Sequence, residues 1–146
     1  MEVVSLALKF QQQGVVGVDL CGDPSKPCDV SIFGPAFIRA KAHGLGITLH
    51  FAEIPRSASE KEMRSLLEFE PDRLGHVVCV PEGFRREILR REIAVELCLS
   101  CNVKAGLTRG GFAGHHFRDW RGSGGRVVLC VSGATISKIV RSQNSC

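Results

Sequence analysis

The pattern that most constrains this chain is a recurrence of short apolar runs, rich in β-branched residues, separated by stretches with helical spacing. The runs are "VVGVDL" (15–20), "GITLH" (46–50), "RLGHVVCV" (73–80), "IAVELCL" (93–99) and "RVVLCV" (126–131). Residues 2–12 form a mainly apolar segment, with Val3, Val4, Leu6, Leu8 and Phe10, that Gly14 closes. A second helix is expected over 33–42, with Pro35 in its first turn and Gly44 as its stop. A third opens on Ser57 and Glu60, spaced as a capping box, and carries Met63, Leu66 and Leu67 on one side. The stretch "GFRREILRREIA" gives a fourth, with Phe84, Ile88 and Leu89 inward and its arginines outward. Strands alternating with helices and lacking hairpin turn signals imply βαβ units and a parallel sheet. No Gly-x-Gly-x-x-Gly loop follows the first strand, so a dinucleotide-binding fold has no support. An open α/β sheet or part of a (β/α) barrel remains.

A chain of 146 residues with 44% hydrophobic and 23% charged residues is expected to form one domain with a real core. The net charge of +4 permits an anionic ligand such as a nucleotide phosphate without demanding one. No apolar stretch is long enough to predict a transmembrane helix. "MEVVSLALKFQQQ" has neither a basic first region nor a cleavage site, which argues against a secretory signal and for a cytoplasmic protein. The seven cysteines are an odd count, and reduced thiols are expected. Cys21, Cys79, Cys98 and Cys130 lie in or just after apolar runs, where free cysteine packs as a small hydrophobe.

The polar residues of these runs gather at one end. Asp19 to Asp23 follow the first strand, His50 and Glu53 end the second, His76 interrupts the third and Asn102 follows the fourth. Active sites of parallel barrels and sheets are assembled at the carboxyl edge of the strands. An imidazole there can ligate zinc, and a nearby carboxylate can move a proton. His76, one strand over, can hold the attacking water or polarise a substrate. Such a set suits hydrolytic displacement at an electron-poor carbon. The plainer alternative is a pair of satisfied core histidines and a solvated loop carboxylate.

Five blocks in order, "VVGVDLCGDP", "TLHFAEIP", "PDRLGHVV", "VELCLSCNVK" and "HHFRDW", resemble the adenosine/AMP deaminase family, in its adenosine deaminase-like (N(6)-methyl-AMP deaminase) branch. The resemblance runs from about residue 1 to about residue 130. It implies a (β/α)8 TIM barrel, of which this chain would supply about strands 4 to 8. It also implies a zinc-dependent hydrolytic deaminase acting on a purine nucleoside or nucleotide. By motif, His50 matches the zinc-binding histidine, Glu53 the glutamate that protonates the purine ring nitrogen, and His76 the histidine that orients the attacking water. Gly22 matches the glycine whose backbone contacts the purine. Asn102 and His116 fall in family-like blocks without an assigned role.

The chain also departs from that family. It has no His-x-His pair for the first strand, and Val131, Ser132 and Gly133 follow "RVVLC" where the family has Thr-Asp-Asp. Val77 stands where a small residue is usual, and Cys101 where serine is usual. The expectation is a partial deaminase-like domain over 1–130 and a divergent C-terminal tail over 131–146. His50 is the one metal ligand carried over, where a catalytic zinc takes about three protein ligands plus water. The chain is therefore expected to be inactive alone, and its open sheet edges to invite self-association. Other readings stay open: a non-catalytic partner or pseudoenzyme docking on an intact deaminase, a zinc or redox protein built on "CLSC" (98–101), or a nucleic-acid binder using its arginines. Against the last stand the absent tyrosines and the single tryptophan, so neither nucleic acid nor membrane is an expected partner.

Overall fold

The structure is a computed structural model that describes residues 2–130; the expected tail at 131–146 lies outside them. Five parallel strands, β1 (Gly17–Leu20), β2 (Gly46–Phe51), β3 (Arg73–His76), β4 (Ala94–Cys98) and β5 (Val127–Cys130), form one sheet in the order of the chain. Six helices, α1 (Glu2–Lys9), α2 (Gly34–Ala42), α3 (Glu60–Glu68), α4 (Glu82–Arg90), α5 (Leu99–Lys104) and α6 (Phe117–Gly122), lie before and between the strands. Consecutive parallel neighbours joined through helices are the arrangement of a barrel segment, as the alternating pattern implied. No helix among the described residues is long and apolar enough to cross a membrane.

Alternation along each strand separates two faces. In β2, Ile47, Leu49 and Phe51 are buried while Thr48 and His50 are only partly so. Successive side chains point to opposite faces of a sheet, so Ile47, Leu49 and Phe51 meet the helices while Thr48 and His50 point away from them. Leu74 of β3 and Val95 and Leu97 of β4 join the buried set, against Met63, Leu66 and Leu67 of α3 and Phe84 and Ile88 of α4. Leu49, Leu74, Ile88 and Leu97 are all 0% exposed. Burying each such side chain stabilises the fold by about 1.5–3 kcal/mol. Gly17 is needed where it stands: a Cβ there would sit 2.7 Å from the Gly46 carbonyl oxygen, so β1 could not enter beside β2.

The element boundaries differ from expectation at several points. The first helix ends at Lys9 and a single 3₁₀ turn carries the chain to Gly14, which takes φ 103°. Val30–Phe33 is likewise a 3₁₀ turn ahead of α2. The α3 cap sits two residues later than its sequence suggested: Ser59, not Ser57, accepts from the Glu62 N–H at 3.2 Å. Pro55 starts a short 3₁₀ turn instead, and the Ser57 hydroxyl closes it by accepting from Ile54 N–H and donating to the Ile54 carbonyl. Neither α5 nor α6 was foreseen; α6 buries Trp120.

Candidate active site

The β2 alternation that buries Phe51 leaves His50 on the opposite face, at the carboxyl end of the strand. Ala52 then takes φ 47°, bending the chain so that Glu53 turns back toward His50. On the next strand, His76 and Val77 hold φ 66° and 46°. Positive φ is unfavourable for any residue with a Cβ and more so for a β-branched one, and such strain gathers at functional sites. Here the bend is held from all sides. Val77 N–H donates to the Phe51 carbonyl at 3.1 Å and Cys79 N–H to that of Ala52 at 2.8 Å. The His116 ring meets the His76 carbonyl through Nε2 at 2.7 Å, and Trp120 Nε1–H donates to the Val77 carbonyl at 3.4 Å.

The result brings three side chains together. Glu53 Oε1 lies 3.7 Å from His76 Nδ1, and its Oε2 3.9 Å from His50 Nδ1. The two imidazoles meet edge to face, with ring centroids 4.8 Å apart. The His50 ring also packs against Gly75 of the neighbouring strand, 3.6 Å from where a Cβ there would lie. The other side of His50 faces β1: its Nε2 is 3.6 Å from Asp19 Oδ2. Donor atoms of His50, Glu53 and His76 all lie within 4.8 Å of one another, and so do those of Asp19, Cys21 and His50. Imidazole, carboxylate and thiol donors in such groups suit a borderline cation such as zinc better than magnesium or calcium.

His50, Glu53 and Gly22 line a cleft of about 400 Å³, with Cys21, Lys26, Arg56 and others. That is within the range of small-molecule sites. A Cβ on Gly22 would meet nothing within 4 Å, so glycine here serves no internal packing and leaves its backbone open to the cleft. Val77, expected to crowd the site, is 1% exposed and packs in the core instead. Cys21 also departs from expectation: it does not pack as a small hydrophobe but is exposed at the cleft wall.

Behind the site runs a buried polar relay that sequence reasoning left without a role. His76 Nδ1 is 2.9 Å from Asn102 Oδ1, whose Nδ2 stands 3.3 Å from His115 Nε2. Phe117 N–H donates to the other His115 nitrogen at 3.0 Å. Phe117 N–H occupies His115 Nδ1, so the neutral ring carries its proton on Nε2, facing the Asn102 amide. The pKa of His115 is pushed down to about 4 by burial and by His116, stacked on it at 4.2 Å. The only sequence signal for this relay was the His115–His116 pair and the isolated Asn102 after β4. Burial also lowers the pKa of His50, against the pull of Asp19, and raises that of Asp19 from its ordinary value, against the pull of His50. The Cys21 thiol is raised by burial and by the Asp19 charge.

Residues 1–115 match the family model described as Adenosine deaminase. Among curated proteins, the chain is 36% identical over 130 residues to the N6-mAMP deaminase of Arabidopsis thaliana, covering 89% of this chain and 35% of that protein. Among solved structures, Arabidopsis N6-mAMP deaminase MAPDA superposes with a TM-score of 0.84 at 32% identity, covering 99% of this chain and 45% of that one. Arabidopsis ADAL complexed with IMP gives 0.80 at 36% identity, covering 88% and 36%. The chain thus spans little more than a third of the length of the curated relative it matches.

Proposed function

This chain belongs to the adenosine deaminase family, and from that premise we propose that it carries part of a site for hydrolytic deamination of a purine nucleotide of the N6-methyl-AMP type. The observation that carries this reading is the convergence of His50, Glu53 and His76 at one strand edge, beside an open cleft. Glu53, protonated, donates to a purine ring nitrogen and makes the adjacent amine-bearing carbon electrophilic. His76, its Nδ1 held against the Asn102 amide, orients the attacking water through its other ring nitrogen. The bare backbone at Gly22 lets the base lie close against the end of β1. His50 is the histidine that holds a zinc ion, which when bound lowers the pKa of water so that a nucleophile exists near neutral pH. Lys26 and Arg56 on the same wall suit a phosphate, which favours a nucleotide over a nucleoside.

The 146-residue chain by itself does not turn over, because the carried-over deaminase motif supplies only His50 to the metal. The test is to purify the chain with added zinc, quantify bound metal and follow amine release from N6-methyl-AMP and adenosine. No turnover is expected, whatever metal the chain holds. Stoichiometric zinc with turnover that Glu53→Gln abolishes would overturn the claim of inactivity and establish the role of Glu53. A second reading, a non-catalytic piece that associates with copies of itself or with an intact deaminase, is favoured by exposed Val128 and Leu129 on β5.

A further inference from the structure

We propose that Cys21 is a metal ligand, binding as a thiolate beside Asp19 and His50 at the carboxyl end of β1 and β2. This rests on the reading of His50 as a metal ligand and extends it to residues the deaminase motif does not use. Asp19 lies in β1, which ends at Leu20, and Cys21 follows that end directly. Asp19 pairs with Thr48 and Leu20 with Leu49, so Cys21 leaves β1 just beyond Leu20 as His50 follows Leu49 on β2. One donor atom from each of the three lies within 4.8 Å of the others. The His50 Nε2 to Asp19 Oδ2 distance is already 3.6 Å. Two ligands on a tetrahedral zinc, with bonds of about 2.0–2.3 Å, stand about 3.3–3.8 Å apart. Cys21 is an exposed residue after the strand end, so its thiol is open to approach an ion there.

The chemistry of the trio points the same way. Sulfur and imidazole nitrogen select zinc-like cations, and three protein ligands leave a fourth position open to water. Coordination forms a sulfur–metal bond and breaks the S–H bond, with the proton leaving to solvent. Glu53 and His76, on the far side of the His50 ring, stay free for substrate and water.

The experiment is a cobalt(II) titration of the full chain, reduced and stripped of metal. A near-ultraviolet sulfur-to-cobalt charge-transfer band is expected. Cys21→Ser should remove it and weaken cobalt binding about tenfold or more, with an unchanged far-ultraviolet circular dichroism spectrum. Asp19→Asn should weaken binding and keep the band. A Cys98→Ser, Cys101→Ser double variant should also keep it, which separates this site from the Cys-x-x-Cys segment. If the band survives Cys21→Ser, the sulfur comes from elsewhere and the proposal fails. If cobalt binds in a manner lost in His50→Ala but without a sulfur band, His50 stands as a ligand and Cys21 does not. If no cobalt binds at all, both readings fall.

Discussion

At the scale of single residues, the arrangement at His76 depends on Asn102, which is 0% exposed and joins two buried histidines. Replacing it with alanine leaves ring nitrogens of His76 and His115 without this partner. A buried polar group left unsatisfied costs about 1–3 kcal/mol, so Asn102→Ala should lower the urea-unfolding free energy by that order. An unchanged midpoint would show that the relay carries no stabilising role. His115 adds a pH dependence whose sign can be worked out. Its pKa falls from 6.5 to about 4 on folding, so between these values the unfolded chain binds a proton that the native one refuses. Stability from this group is full above about pH 6.5 and is lost as pH drops toward 4. Unfolding titrations between pH 7.5 and 4.5 should therefore show a shallower loss for His115→Gln than for the parent chain. Little of this was legible in the sequence. His50, Glu53 and His76 stood out because polar residues interrupted apolar runs at strand ends. Asn102 stood out at the end of β4 but without a role, and His115 did not, since the two meet His76 only when the loop after α5 folds back.

At the scale of elements, strand positions were readable to within a few residues, because β-branched runs with a buried alternate face leave little choice of register. Helix starts were less readable, and α3 shows why. Two serines, Ser57 and Ser59, stand before it, and each has a glutamate three residues on. Pro55 decides between them by fixing the turn that takes up the Ser57 hydroxyl, a local competition that no periodicity records. The buried face of α3, Met63, Leu66 and Leu67, is the same under either cap, which is why the helix itself was plain. Loss of a serine cap costs about 1 kcal/mol, so Ser59→Ala should lower thermal stability accordingly, with Ser59→Asp restoring it. Equal stability of Ser59→Ala and the parent chain, measured by calorimetry, would count against the assigned helix start. The short helices α5 and α6 escaped notice for another reason: six residues each give no repeating apolar stripe, and only the packing of Asn102 and Trp120 marks them as structured.

At the scale of the whole molecule, the fold is a sheet with one face well covered and its two outer strands each bonded on one side among the described residues. The covered face explains why a core forms: the helices supply enough apolar surface to bury that face of β2, β3 and β4. The outer strand β5 is different. It bonds to β4 through its register from Val127 to Cys130, yet Val128 and Leu129 remain 43% and 55% exposed on its two faces. Val3 and Leu6 of α1 and Ile38 of α2 add exposed apolar surface at the other end of the sheet. An unpaired strand edge carrying apolar side chains is a template for pairing with another chain, and natural edges are blunted by charge. The chain is therefore expected to associate with itself at micromolar concentration. Lysine at both Val128 and Leu129 should return it to monomer, because two desolvated ammonium groups cannot be accommodated in a strand-to-strand contact. Light scattering after size exclusion reads this directly. A parent chain that is monomeric at tens of micromolar would refute the expectation. A parent that associates equally with both lysines in place would move the contact away from β5, to the α1 and α2 surface.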